Sequence, residues 1–322
     1  MKRLLPTLIA LTSTLTAQES FQGSIERLDP ALDKLVAADA KVEMLATGFN
    51  WSEGPVWKDG ALLFSDVPEN TVFQWKEGMK QAGVFLKPSG SSSPENQQGS
   101  NGLALDAKGN LILCQHGDRR LARLGADGKF TTVTRNYKDH LYNSPNDLVV
   151  AKDGTIYFTD PPYGLKDKTL RELDWNGVYR LGPDGNVTLL VKDLTFPNGI
   201  ALSPDEKTLY VAVSDPAATR VMAYEIMSDG SVANARTFFD AQPLKSPQRK
   251  GGCDGLKVDT EGNVWTTGPG GVIVLSKTGK HLGTILTGQA TANCAFGGEG
   301  RDTLYITADM HLLRVKTLVR GL

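Results

Sequence analysis

The stretch Asn101-Gly102-Leu103-Ala104-Leu105-Asp106 has five counterparts along the chain, and together they decide the fold. They are Glu53-Gly54-Pro55-Val56-Trp57, Asn146-Asp147-Leu148-Val149-Val150, Asn198-Gly199-Ile200-Ala201-Leu202, Asp254-Gly255-Leu256-Lys257-Val258-Asp259 and Asn293-Cys294-Ala295-Phe296. Each copy opens on a side chain that offers an oxygen. The starts lie 48, 45, 52, 56 and 39 residues apart, the length of a four-stranded propeller blade. One Asn-Gly or Asp-Gly dipeptide is only a turn signal. Six oxygen-bearing residues at matching positions form a ring, so the pattern predicts an all-β chain: a six-bladed β-propeller around a central metal-binding channel.

Outward from these starts, each unit repeats one grammar. A short apolar strand ends at a turn such as Asp106-Ala107-Lys108-Gly109 or Asp153-Gly154, where Asp and Gly tolerate tight hairpins. A β-branched and aromatic strand follows, as in Ile156-Tyr157-Phe158-Thr159 or Leu304-Tyr305-Ile306-Thr307. Residues 45–322 are expected to form one propeller domain, preceded by a leader over 18–44. Across the junction, residues 41–48 read as a strand that completes the last blade. Three insertions, 87–100, 161–175 and 240–252, are expected to overhang the ring as lids, the first as a mobile Ser-rich loop.

The chain has 322 residues and a formal net charge of −1, without the basic footprint of a nucleic-acid binder. Residues 1–17 read as an export signal: Lys2 and Arg3 precede a short apolar run, and Ala17 offers a cleavage point. That run is too short to span a bilayer, and a periplasmic or secreted location is expected. The three cysteines, Cys114, Cys253 and Cys294, cannot all pair and form no Cys-x-x-Cys motif. They read as buried thiols, with a Cys253–Cys294 bridge as the alternative.

The ring carries the chemistry. Glu53 and Asp254 balance a divalent charge, and the amide oxygens of Asn146 and Asn198 complete four protein ligands. An all-oxygen set favours Ca²⁺ or Mg²⁺. The four histidines, His116, His140, His281 and His311, lack zinc-site spacing. In a blade the second strand returns to the mouth where the first begins, so Asp66, His116, Asp160, Ser214-Asp215, Gly268 and Asp309 are expected beside the ring. No Gly-x-Ser-x-Gly elbow and no phosphate-binding Gly-x-x-x-x-Gly-Lys loop occurs.

Ser52-Glu53-Gly54-Pro55-Val56-Trp57, Ser144-Pro145-Asn146-Asp147, Phe158-Thr159-Asp160-Pro161, Phe196-Pro197-Asn198-Gly199-Ile200-Ala201 and Cys253-Asp254-Gly255 resemble, in this order, the gluconolactonase/regucalcin-like family of six-bladed propellers. The resemblance covers about residues 45–315. It implies one divalent cation, usually Ca²⁺, at Glu53, Asn146, Asn198 and Asp254, with Mg²⁺, Mn²⁺ or Zn²⁺ substituting in vitro. It also implies hydrolysis of a sugar lactone; related propellers act on other lactones or phosphotriesters. Members closer to regucalcin place an arginine where this chain has Ser144. Asn101 and His116 look like the bacterial gluconolactonase-type variant.

On this reading the cation polarises a lactone carbonyl and lowers the pKa of a bound water. Asp254, Asp147 and Asp160 are the candidate bases, with His116 as an alternative base or oxyanion donor. Asn101, Asn146 and His116 are the candidate substrate-binding groups. Two other readings stay open: a non-catalytic sugar- or protein-binding propeller with a structural metal, and a phosphotriesterase-type hydrolase.

Overall fold

The second strand of every unit is an apolar, β-branched run, and such a run is stable only when covered on both faces. Ala61–Asp66, Leu111–Gln115, Ile156–Asp160 and Val264–Gly268 are buried along their whole length. The computed structural model, which describes residues 23–94 and 96–322, satisfies this by stacking sheet on sheet in a ring. Six antiparallel sheets follow one another as blades. The first four are up-and-down meanders: Ser52–Lys58 to Gly83–Leu86, Ser100–Leu105 to Phe130–Thr134, Leu148–Val150 to Val187–Val191, and Pro197–Leu202 to Val232–Asp240.

The last two blades use the chain's beginning. In the sixth, Asn293–Gly297, Thr303–Ala308 and His311–Lys316 are completed by Glu43–Thr47, which pairs antiparallel with His311–Lys316. The expected closing strand is therefore present. In the fifth, Leu256–Val258 to His281–Leu286 gains a fifth, outer strand, Ser24–Arg27. This strand had no signal strong enough to read in the sequence. Between the two, Pro30–Lys34 forms a 3-10 turn capped by Asp29, and Leu32, Leu35 and Val36 enter the core between the fifth and sixth blades. The segment read as a leader thus supplies one sheet edge, Ser24–Arg27, the core turn Pro30–Lys34 and the start of the closing strand Glu43–Thr47. The expected export signal lies outside the described residues.

The core lies between neighbouring blades. Ile112 and Cys114 of the second blade pack with Leu148, Phe158 and Tyr179 of the third. Trp57 of the first blade stacks on Tyr305 of the sixth, ring centroids 5.3 Å apart, and helps seal the circle. All three cysteines are free and buried, so the alternative Cys253–Cys294 bridge is not formed. Burial pushes the Cys253 and Cys294 thiols up to about 12. Among the described residues no helix is long and apolar enough to cross a membrane.

Candidate metal centre and active site

In the second, fourth and fifth blades the glycine after the ring residue has no left-handed backbone and is not there to turn the chain. It lets the next blade approach. Gly102 N–H donates to the Asn146 carbonyl at 2.8 Å, Gly199 N–H to that of Asp254 at 3.0 Å, and Gly255 N–H to that of Ala292 at 2.7 Å. A Cβ on Gly102 would stand 2.7 Å from the Asn146 carbonyl oxygen, and one on Gly199 would stand 2.7 Å from Gly255 Cα. These contacts cinch the inner strands around the channel. The third blade has Asp147 where the others have a small residue, so a carboxylate enters the channel there.

Hydroxyls lock the blades further. Ser65 Oγ donates to the Asn101 carbonyl at 2.8 Å, Thr159 Oγ1 to that of Asn198 at 2.6 Å, and Ser214 Oγ to that of Cys253 at 2.6 Å. Each comes from the end of one blade's second strand and holds the next blade's first strand.

At the mouth a cavity of about 430 Å³ is lined by Glu53, Asn101, His116, Asn146, Asn198 and Asp254, together with Tyr163, Ser214 and Gln98. Five of the six ring residues are therefore gathered as expected. The sixth, Asn293, lies beneath them. Its Nδ2 donates to Glu53 Oε2 at 3.1 Å and to Asp147 Oδ2 at 3.3 Å, while its oxygen accepts from Cys294 N–H at 2.9 Å. It forms a floor and does not present its oxygen to the mouth.

The amides form a directed chain. Asn101 Nδ2 donates to Asn146 Oδ1 at 3.0 Å, Asn146 Nδ2 to Asn198 Oδ1 at 2.5 Å, and Asn198 Nδ2 to Ser214 Oγ at 2.8 Å. His116 Nε2 lies 3.2 Å from Asn146 Oδ1. A carbonyl oxygen can only accept, so Nε2 carries the proton. Burial lowers the His116 pKa to about 4, which keeps the ring neutral near pH 7.

Carboxylates crowd the same place. Burial and then Asp147 push Glu53 up to about 7. Burial, then Glu53 and Asp147, raise Asp254 well above the ordinary range. Burial raises Asp147 as well. Like charges held out of water demand a cation or protons.

The residues fit a cation on an independent observation. Asp254 Oδ1 and Asn101 Oδ1 are buried and accept no hydrogen bond. An unpaired buried oxygen is costly unless something occupies it. Among the described residues, no three His, Cys, Asp or Glu side chains are grouped as a metal site. The ring offers only two carboxylates, and amide oxygens must supply the rest, as hard cations accept.

Other expected residues fall differently. Asp160 does not line the cavity. Its two oxygens accept the N–H groups of Asn143 and Ser144, each at 2.8 Å. Asp66 does the same for Asn50 and Trp51, at 3.0 and 3.1 Å. In both blades these amides sit three and two residues before a ring residue, so the carboxylates fix the approach to Asn146 and Glu53. This places Asp160 as a positioning group, against its expected service as a base. Asp147 lies under the ring, bonded to Leu148 N–H at 2.9 Å. Asp215 and Asp309 are turn residues: Asp215 accepts Ala217 N–H, and Asp309 has φ 55°. Gly268, at the end of its strand, packs against Ile273.

Of the three expected lids, two reach the mouth, through Gln98 and Tyr163. The loop over 87–100, read from the sequence as mobile, is pinned at its start, where Asn70 Oδ1 accepts from Ser89 and Gly90 N–H. Residues 240–252 contribute nothing to the cavity wall; Arg249 instead pairs with Glu26 at 2.6 Å on the added outer strand. Ser214 lies in the wall, beside the ring as expected. Tyr163, near Asn198 and Ser214, is a wall residue that nothing in the sequence singles out within its insertion.

Known proteins carry the same frame. The SMP-30/Gluconolactonase/LRE-like region matches residues 51–309, which is most of the chain and the whole ring. The chain belongs to this family. A gluconolactonase of Zymomonas mobilis is 37% identical, with 97% of this chain and 94% of that one covered. Regucalcin of Xenopus laevis is 29% identical over 83% of this chain and 86% of its own length. Among solved structures, a gluconolactonase from Xanthomonas campestris superposes with a TM-score of 0.80 at 34% identity, covering 91% of this chain and 94% of that one. The family resemblance read from the ring motifs thus holds along the whole fold.

Proposed function

We propose that the protein hydrolyses a sugar lactone to its aldonic acid at the ring mouth, using one divalent cation held by Glu53, Asn146, Asn198 and Asp254. One observation carries the reading: Asp254 Oδ1 and Asn101 Oδ1 stand buried and unpartnered in the wall of one cavity, in a chain 37% identical to a gluconolactonase. The oxygen-only donor set favours Ca²⁺. When bound, such an ion polarises the lactone carbonyl and acidifies a water.

The chain's own groups supply the rest. Asp254 takes the water proton, through the carboxylate oxygen that the cation leaves free, as the water oxygen bonds to the carbonyl carbon. The ring C–O bond then breaks, and the proton passes to the departing alkoxide. His116, neutral with hydrogen on Nε2, turns that N–H from Asn146 Oδ1 to a substrate oxygen once the amide oxygen is given to the cation. Asn101 Oδ1 accepts from a substrate hydroxyl. The amide-rich wall suits a hydroxylated substrate better than a phosphotriester. Rates of proton release from glucono-δ-lactone, corrected for spontaneous opening, test this for the wild type and Asp254→Asn. Wild-type rates at background would defeat the reading. We also infer that the chain is exported, from Lys2, Arg3 and the apolar run ending near Ala17; N-terminal sequencing of the mature protein should begin at Gln18.

A further inference from the structure

The residue three places after each ring residue faces the far end of the channel. Val56, Ala104, Val149, Ala201, Lys257 and Phe296 all line a cavity of about 370 Å³ there. Five are apolar, and at this aligned position the fifth blade alone carries a charge. Lys257 Nζ donates to the Leu256 carbonyl at 3.0 Å and to Asn293 Oδ1 at 3.4 Å. The Nδ2 of the same amide spans Glu53 Oε2 and Asp147 Oδ2 at 3.1 and 3.3 Å. One amide thus lies between an ammonium group below and two carboxylates above. The amide is itself locked, since the following Cys294 N–H binds its oxygen and Gly255 leaves it room; a Cβ there would stand 2.6 Å from Asn293 Nδ2.

The channel therefore holds three carboxylates, Glu53, Asp147 and Asp254, and one ammonium, whose charge acts on Glu53 and Asp147. Two negative charges remain to be balanced. We propose that Lys257 is the fixed counter-charge of the channel, so that the lysine and one divalent cation together neutralise the three carboxylates, and this count sets the ionic charge the site accepts. Lys257 is a positioning residue, acting through Asn293 and through its charge. The proposal rests on the cation reading above.

The test compares the affinities of Ca²⁺ and Tb³⁺ for the chelator-stripped protein, by calorimetry and lanthanide luminescence. Wild type, Lys257→Met and Lys257→Arg are measured, with Lys257→Gln in place of a methionine variant that fails to fold. Without the lysine the site carries one more uncompensated negative charge, which rewards the trivalent ion more. The Tb³⁺/Ca²⁺ affinity ratio should rise roughly tenfold or more in Lys257→Met, and stay within about twofold of wild type in Lys257→Arg. A lysine that only packs would lower the melting temperature and leave the ratio where it was, and that result overturns the proposal. So does a ratio raised equally by arginine. Wild-type protein that binds neither ion would sink the cation reading itself, a distinct outcome from an unchanged ratio.

Discussion

Two residues in the mouth differ in what their removal should do. Asp254 combines an unpartnered oxygen with a place in the cavity wall, so Asp254→Asn should weaken cation binding and lower turnover together. His116 bonds only Asn146 within the wall. His116→Ala is expected to lower kcat by about 10²–10⁴-fold with cation affinity changed far less. Steady-state kinetics at saturating cation, with parallel calorimetry, separates the two. An unchanged kcat with a lowered melting temperature would make His116 structural. Asp160 belongs to a third kind. Its carboxylate holds two backbone N–H groups, and asparagine offers one acceptor and turns a donor toward the other. Asp160→Asn should cost about 1–3 kcal/mol in denaturant melts, and cation affinity should fall only as far as Asn146 shifts. Loss of activity at unchanged stability would restore Asp160 as a candidate base.

At the scale of a strand, the ring depends on close approach of backbones. Gly199→Ala places a methyl against the fifth blade at Gly255 Cα, where backbone must move. It should destabilise the protein by several kcal/mol, in line with overpacking and strain. Gly83→Ala meets only the end of the Met79 side chain at 3.7 Å and should change stability by no more than about 0.5 kcal/mol. Thermal melts of the pair check this; equal losses would mean the ring glycines serve as ordinary turn residues. The same strands show what could be read in advance. Oxygen-bearing starts and apolar second strands recur with a fixed period, so blade number and most of the mouth were legible. The inward residues that differ between blades were harder. Asp147 fills a position that is glycine in four blades, and Lys257 one that is apolar in five. Both departures are visible once the six segments are aligned, but their meeting through Asn293 is a fact of three dimensions. The outer strand Ser24–Arg27 has four residues and no alternation, so only its pairing with His281–Leu286 reveals it.

Across the whole molecule, buried carboxyls dominate the response to pH. Glu53 and Asp160 are each pushed up to about 7, and Asp66, Asp147 and Asp254 are also raised. A raised folded-state value means the native state holds more protons than the unfolded chain between about pH 4 and 7. Stability of the cation-free protein should therefore fall as pH rises through that window. On the proposed reading, a divalent ion would replace those protons at Glu53 and Asp254. The melting temperature gained on adding Ca²⁺ should grow from pH 5 to pH 8, and scanning calorimetry in both states reads it directly; a gain independent of pH would place the ion away from these carboxylates. The central claim is hydrolysis that depends on a cation at the ring. It is tested most directly by the initial rate of glucono-δ-lactone opening after exhaustive chelation and after adding back Ca²⁺. The expected result is a rate at background without the ion, restored by Ca²⁺ in the wild type and far less in Glu53→Gln. A full rate in the chelated protein, or equal restoration in Glu53→Gln, would contradict it.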